Sequence, residues 1–321
     1  MEQSMVYLIT GGAGFIGSHV AERLLKRGEN VVLLDNFNDY YDPMLKLANV
    51  QRLQAMGDVV VAEGDVRDAV FVNHLFETYR VTHVAHLAAM AGVRFSVNQV
   101  PLYVDVNLNG SMNLLEASTR HAVQMFVMAS TSSVYGETQQ LPFTETDSAD
   151  RPLAAYPASK RAAELLAHTY HHLHKMNVTV LRFFNVYGPN GRPDMMPMRL
   201  IQATQDGSEI KLFNDGDIAR DWTYIEDTVD GVIEALARPL GYEVINLGVG
   251  KPISMREFVH IIEELSGKRI NTVAVPTPLS DPPITFCNNQ KARELLGFNP
   301  QTEVLEGLRK TWEWFASTQG L

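Results

Sequence analysis

Cysteine is nearly absent from this sequence. Cys287 stands alone, so no internal disulfide can form, and the expected compartment is a reducing cytoplasm. Long apolar runs are missing too, with nothing approaching the roughly 18 residues that a membrane-spanning helix needs. Met1–Ser4 leads straight into a strand-like segment, so no signal peptide is expected. Positive charge is in deficit, with 27 Lys and Arg against 37 Asp and Glu and a formal charge of −10. That balance excludes a general affinity for nucleic acid or an anionic membrane. An anionic ligand has to be met by a few placed arginines and backbone amides. Internal repeats and low-complexity linkers are lacking as well. With 45% apolar and 20% charged residues, disorder, collagen and coiled coil are out, and 321 residues suit one large α/β domain or two coupled ones.

What is present is alternation. Short β-branched runs at Val6–Thr10, Val31–Asp35, Val59–Glu63, Val81–Leu87, Met125–Ser130 and Val178–Phe184 are separated by amphipathic stretches. Helices are expected at Phe15–Arg27, Ala69–Tyr79, Leu102–His121 and from about Ala158 to Lys175. Six strands with crossover helices predict an α/β fold built on a Rossmann-type doubly wound parallel sheet. After Asn185 the rhythm breaks at Gly188-Pro189-Asn190-Gly191-Arg192-Pro193, and again at Pro276, Pro278, Pro282 and Pro283. Shorter segments lie in this part: helices Met196–Asp206, Asp227–Ala237, Ser254–Leu265, Gln290–Leu296 and Val304–Thr318, and strands Glu209–Phe213, Trp222–Ile225 and Glu243–Leu247. The expected organisation is a dinucleotide-binding domain over residues 1–185, with later returning segments near 218–247. A smaller, mixed α/β substrate domain over 186–321 would close on the same cleft.

Thr10-Gly11-Gly12-Ala13-Gly14-Phe15-Ile16-Gly17 joins the first strand to the first helix. Gly11, Gly14 and Gly17 permit a tight turn, close approach of a pyrophosphate and close helix–strand packing, and the helix opening at Phe15 and Ile16 meets the negative charge. Asp35 ends the second strand, where a carboxylate takes the ribose hydroxyls of NAD and repels the 2′-phosphate of NADP. Asn36-Phe37-Asn38 offers no arginine to reverse that choice, so NAD is the expected cofactor. Asp65 and Val66 follow the third strand, where a side chain reaches toward the adenine. Leu87, Ala88 and Ala89 end the fourth, with small residues where the cofactor backbone passes. An N-cap role for Asp65 and simple packing for Ala88 and Ala89 are equally open on sequence.

Tyr156 and Lys160 stand four residues apart at the start of a helix, on one face. A lysine ammonium near a tyrosine favours the phenolate, which can take a proton from an alcohol. Ser130-Thr131-Ser132-Ser133 runs off the carboxyl end of the fifth strand, where open α/β sheets place their ligands, and Thr131 can share the same proton.

At these residues the sequence resembles the extended short-chain dehydrogenase/reductase family, and within it the nucleotide-sugar epimerases and dehydratases. The resemblance covers essentially the whole chain. It takes in Asn107 with Gly110, Arg182-Phe183-Phe184-Asn185-Val186-Tyr187-Gly188-Pro189, Arg220-Asp221-Trp222-Thr223-Tyr224-Ile225 and Asn246-Leu247-Gly248. It implies Tyr156 as general base, Lys160 on the nicotinamide ribose and Thr131 on the substrate hydroxyl. In that family the 4,6-dehydratases carry an Asp-Glu pair after the threonine, and the UDP-glucuronate decarboxylases usually a Glu at the second position. Ser132 and Ser133 stand there instead, and Glu137 lies beyond Gly136, out of register. Epimerisation, or plain dehydrogenation and reduction, is what remains.

Three further stretches, Leu34–Pro43, Ala91–Ser96 and Gly191–Met195, are similar to the UDP-glucuronate 4-epimerases of this family. That likeness implies NAD-dependent C4 epimerisation of UDP-glucuronate to UDP-galacturonate through a 4-keto intermediate. Arg192 is the first choice for the sugar carboxylate or the adjacent phosphate, with Arg94 as a second loop cation and Ser132 and Ser133 as hydroxyl donors. By resemblance, Asn185 and Arg220 hold the diphosphate, Phe213 lies against the uracil, Asp281 joins the substrate site, and Thr285 falls where related epimerases control room beside the sugar. The competing readings are a UDP-glucose or UDP-N-acetylglucosamine 4-epimerase, a UDP-glucuronate decarboxylase, and a non-enzymatic NAD sensor. The family's habit implies a homodimer through the helices of Leu102–His121 and Ala158–Lys175. His168, His171, His172 and His174 have metal-compatible spacing but no accompanying carboxylate–cysteine set, and no metal is expected.

Overall fold

Seven parallel strands form the main sheet of the computed structural model, which describes residues 4–278 and 281–319. The strands of the first half are β1 (Val6–Thr10), β2 (Asn30–Asp35), β3 (Val59–Glu63), β4 (His83–His86), β5 (Met125–Thr131) and β6 (Val178–Phe183). The second half adds β7 (Asn185–Tyr187), β8 (Ile210–Phe213), β9 (Ala219–Tyr224), β10 (Tyr242–Leu247), β11 (Pro252–Ser254), β12 (Thr272–Val275) and β13 (Ile284–Thr285). In the main sheet the order is β10-β6-β5-β4-β1-β2-β3, the doubly wound arrangement extended by one strand. Leu8 of β1 lies opposite Val32 on one side and Val84 on the other, so the register places like apolar residues in rows.

Both faces are covered, which explains why β5 and β6 are buried at every position. Successive residues of a strand point to opposite faces. Leu8 accordingly joins a core with Phe76, Leu114, Leu115, Ala163 and Ala167, whereas Ile9 joins one with Val20, Leu24, Val229, Val232 and Leu236. The helices up to this point are α1 (Phe15–Lys26), α2 (Pro43–Gln54), α3 (Ala69–Tyr79), α4 (Val93–Ser96), α5 (Val100–Val104), α6 (Gly110–Arg120), α7 (Ala155–His174), α8 (Met196–Asp206) and α9 (Ile225–Leu236), of which α1, α3, α6, α7 and α9 supply these side chains. Then come α10 (Met255–Ser266), α11 (Gln290–Leu296) and α12 (Val304–Gln319).

Three departures from the sequence reading matter for the site. First, the segment expected near 218–247 to return to the main sheet divides. Tyr242–Leu247 closes that sheet as its seventh strand beside β6, but Ala219–Tyr224 pairs with β7, β11 and β13 in a separate four-stranded sheet. Second, the single helix expected over Leu102–His121 is broken by a π-helical turn at Asp105–Asn109. Asn107, fully buried in that turn, bonds both backbone groups of Met90 and the Ser159 hydroxyl, tying the turn to α7. Third, α2 lies in a stretch to which the sequence reading assigned no element, and it carries Asn49 onto the Ala13 carbonyl of the glycine turn and Lys46 toward Asp35 and the Asn38 carbonyl.

Candidate active site

The carboxyl ends of β1, β2, β4, β5 and β6 border one cavity of about 600 Å³. Every site residue read from sequence lines it apart from Phe213 and Thr285. Phe213 instead carries the Arg94 guanidinium 4.4 Å over its ring, and Thr285 pairs with Arg220 in the small sheet.

At the cofactor end the chain leaves β1 through Gly11, whose φ of +67° is left-handed. A Cβ there would meet Ala88 Cα at 2.9 Å, and one on Gly17 would meet the Gly11 carbonyl oxygen at 2.1 Å, so larger residues would lift α1 off the turn. The first turn of α1 holds no acidic residue and no capping side chain, which leaves its amides and dipole for an anion. Asp35 is fixed by the amides of Ala13 and Phe37, at 3.2 and 3.0 Å, with Lys46 Nζ at 3.7 Å. Asp65 is not the cap of α3; Asp68 takes that place, accepting from the amides of Val70 and Phe71. Hydrogen bonds from Arg67, with lesser help from Asn36, hold the Asp65 carboxyl down at about 2.

At the catalytic end, Lys160 is 1% exposed and its ammonium has no hydrogen-bond partner among the described residues. An orphaned donor on the cavity wall is what a ribose diol satisfies, and together with the bare α1 turn and Asp35 it fits a dinucleotide. Burial pulls the Lys160 pKa from 10.5 down to about 8, against the opposing charge of Glu164. The unfolded chain therefore keeps this proton to higher pH than the ligand-free fold, so ligand-free stability rises as pH climbs from about 8 toward 10.5. Below that window the buried charge costs about 3 kcal/mol. Lys160→Met is expected to recover much of it at pH 7 while abolishing turnover. Thermal unfolding across pH checks this, and a gap between variant and wild type that fails to shrink above pH 8 would refute it.

Burial also raises Tyr156, and the charge that works against this is Arg192, followed by the Thr131 side chain. Thr131 caps the turn Ser132–Tyr135, accepting from the Ser133 amide at 3.1 Å and donating to the Ser133 hydroxyl at 3.2 Å, which brings both serines to the cavity wall.

Beneath the catalytic helix lies a buried charge network. Glu164, one turn past Lys160 and 0% exposed, accepts from Arg182 Nε and Nη2 at 3.0 and 2.8 Å, from Arg161 at 2.8 Å and from the Ser130 hydroxyl. Burial disfavours its charge, and these donors overcome that and hold it ionised. Among the described residues Arg182 Nη1 has no hydrogen-bond partner, but the Tyr135 ring lies 4.8 Å from the guanidinium. At the substrate end Arg94 donates to Asp281 at 3.0 and 2.7 Å, and burial lowers Arg220 to about 10 despite Asp281. Three of the four clustered histidines make local contacts, with His168 edge-on to Tyr242, His174 against the Tyr170 ring and His171 on the Met176 carbonyl.

Residues that sequence reasoning left unassigned include Tyr40, Lys46, Asp194 and Arg199, all of which line the cavity. The signal for Lys46 was available in Asp42-Pro43, a helix cap followed by proline at the first helical position, with the Asp42 side chain accepting from the Met44 amide at 2.9 Å.

Comparison with known proteins gives this geometry a family. A profile described as GDP-mannose 4,6 dehydratase matches residues 8–311. A UDP-glucuronate 4-epimerase of Thermodesulfobacterium geofontis is 44% identical over 309 residues, covering 96% of this chain and 95% of that protein. The chain belongs to the NAD-dependent epimerase/dehydratase family. UDP-glucuronate 4-epimerase 4 of Arabidopsis thaliana, another member, is 40% identical across 97% of this chain and 75% of its own length. Among solved structures, the UDP-glucuronic acid 4-epimerase of Bacillus cereus in complex with UDP-glucuronic acid and NAD superposes with a TM-score of 0.91 at 33% identity, over 98% of this chain and all of that one. The UDP-glucose 4-epimerase of Thermotoga maritima, with UDP-glucose, gives 0.90 at 30% identity, with 98% and 100% covered. Fold alone thus does not separate the sugars within the epimerase/dehydratase family. The side chains around Tyr156 have to.

Proposed function

We propose that this chain is an NAD-dependent UDP-glucuronate 4-epimerase, interconverting UDP-glucuronate and UDP-galacturonate. The observation that carries this reading is the company Tyr156 keeps. Thr131, Ser132, Ser133 and Arg192 share its cavity, supplying donors for a carboxylate where a dehydratase would need an acid–base pair. Asp194 also lines the cavity, but Arg192 holds it ionised against burial, so it is no proton donor near neutral pH.

In this scheme the α1 turn, Asp35 and Lys160 hold the cofactor, while Asn185, Arg220 and Arg94 take the nucleotide diphosphate. NAD held there would supply a reversible hydride acceptor for C4. The Tyr156 phenolate takes the C4 hydroxyl proton, with the Thr131 hydroxyl holding that oxygen in line. Once the sugar has turned over, the Tyr156 phenol gives the proton back to the C4 oxygen. Between the two transfers the intermediate is a β-keto acid, which loses CO2 whenever the C5–carboxylate bond aligns with the carbonyl π system. Ser132, Ser133 and Arg192 hold the carboxylate away from that alignment, so positioning is itself part of catalysis.

Proton NMR of nucleotide sugars after incubation with UDP-glucuronate tests the reading. UDP-galacturonate is expected, with little pentose. Conversion to UDP-xylose would make the chain a decarboxylase, and turnover of UDP-glucose alone would remove the uronate assignment. Ser132→Ala or Ser133→Ala is expected to raise the share of UDP-4-keto-pentose, and unchanged product ratios in both would remove the serines from this role. We also propose a second copy of this chain as partner. Val104, Met112, Leu165 and Leu173 are exposed apolar residues on the α5–α6 and α7 surfaces, and light scattering in solution checks the dimer. A cytoplasmic location is our reading of the single buried Cys287, and no described helix is long and apolar enough to cross a membrane.

A further inference from the structure

Two of the stretches that set this sequence apart, Leu34–Pro43 and Gly191–Met195, meet across the cavity at Tyr40, Arg192 and Asp194. Arg192 donates from Nε to Asp194 Oδ1 at 2.9 Å and from Nη2 to Oδ2 at 2.6 Å. The Tyr40 hydroxyl donates to the same Oδ2 at 3.3 Å, and the Arg192 guanidinium lies 5.5 Å over the Tyr40 ring. Tyr40 is itself set in place by Gly92: with φ at +95°, a Cβ there would stand 2.6 Å from the Tyr40 hydroxyl. Arg192 Nη1 makes no hydrogen bond among the described residues.

We infer that Asp194 and Tyr40 are positioning residues that grip Arg192 by its Nε–Nη2 edge and present its Nη1–Nη2 edge to the carboxylate of the sugar. The inference rests on the uronate reading above and deepens it. A guanidinium has a side-on edge and an end-on edge, each able to take a carboxylate in a two-bond fork. With the side-on edge occupied from within the protein, a ligand carboxylate has one approach left. The Arg192–Asp194 pair also has no net charge. Selection of a uronate is then a matter of where two N–H groups are aimed, rather than of positive potential in the cavity.

Opposite consequences for binding and for product outcome follow. Removing the Asp194 charge uncovers that of Arg192, which still attracts a carboxylate but no longer holds it at one angle. In the 4-keto intermediate the loosened carboxylate swings into line with the π system. The C5–C6 bond then breaks, its electron pair passes to C5 to form the enolate of the C4 ketone, and CO2 departs. The enolate carbon takes a proton from the Tyr156 phenol or water, leaving UDP-4-keto-pentose.

The test compares wild type, Asp194→Asn and Tyr40→Phe. Calorimetry gives Kd for UDP-glucuronate and UDP-glucose, and NMR gives the share of pentose. For Asp194→Asn the pentose share should rise about tenfold, the effect of one lost charge-assisted hydrogen bond, with Kd for UDP-glucuronate unchanged or tighter. Tyr40→Phe keeps the ring and loses the hydroxyl, and should shift the share the same way by less. A merely structural role predicts weaker Kd for both sugars and no change in product share, and that result overturns the inference, as does a wild-type share in both variants. Wild type that leaves UDP-glucuronate untouched would instead overturn the epimerase reading itself.

Discussion

Tyr156→Phe is expected to lower kcat by about 10²–10⁴-fold with UDP-glucuronate, with the calorimetric Kd nearly constant. The expected size follows from what the hydroxyl does and what its neighbours do for it. Removing one oxygen deletes the group that accepts the C4 proton, but it leaves the ring, Thr131 and both serines in place to bind the sugar. Burial raises the Tyr156 pKa, and the Arg192 charge and the Thr131 side chain work against that. Arg192→Met should therefore do two things at once: weaken uronate binding, and move the pH at which the phenolate forms upward. Single-turnover rates across pH separate these, since a pure binding role leaves the pH profile where it was. A Tyr156→Phe variant that turns over within tenfold of wild type would require another base in the cavity.

Glu164→Leu should cost roughly 3–5 kcal/mol of stability, because it leaves the Arg182 charge buried without its counter-ion. Arg182 is 1% exposed, and its Nη1 already makes do with the face of Tyr135. For a chain of this length the loss corresponds to a fall in Tm on the order of 10 °C. The double variant Glu164→Leu with Arg182→Met removes both charges and should regain most of the loss, since an apolar pair of similar volume is often no worse than a buried ion pair. Urea denaturation of the two variants checks this, and a cost below about 1 kcal/mol for Glu164→Leu would mean that water reaches Arg182. The double variant should still turn over poorly, because Ser130 and α7 lose the link that aligns Thr131 with Tyr156 and Lys160.

The main sheet was legible because its strands are buried on both sides and separated by helices with a single apolar face. Val59–Glu63, Ala69–Tyr79 and Gln290–Leu296 lie where the pattern puts them. Helix α2 announced its start in Asp42-Pro43, but its apolar pattern hid it for a physical reason. Its buried positions include Lys46 and Asn49, while Met44, Leu45 and Leu47 are exposed, so apolar periodicity points the wrong way round. The small sheet escaped because β7, β11 and β13 are only two or three residues long and owe their existence to pairing with β9. Tyr40 and Asp194 belong to quoted stretches, yet a contact between residues 154 positions apart has no trace in local spacing. The same holds for Glu164 and Arg182, which the register of α7 over β6 brings together.

The groups around the cavity fall on two kinds of support. Tyr156, Lys160 and Thr131 stand on α7 and the end of β5, anchored through Glu164 and Arg182 to β6. Tyr40, Arg94, Arg192 and Asp194 stand on short segments between elements or on the brief α4, and they touch that anchored body mainly through one another and Asp281. A division of this kind makes the molecule a chassis with exchangeable fittings. Segments 36–42, 91–96 and 188–195 can be transplanted as a set from a relative that prefers another sugar, with the proton chemistry left in place. Transplanting 36–42 or 188–195 alone would break the Tyr40–Asp194 link, and transplanting 91–96 alone would disturb the seat that Gly92 gives Tyr40, so variation among relatives in these segments should be found to move together.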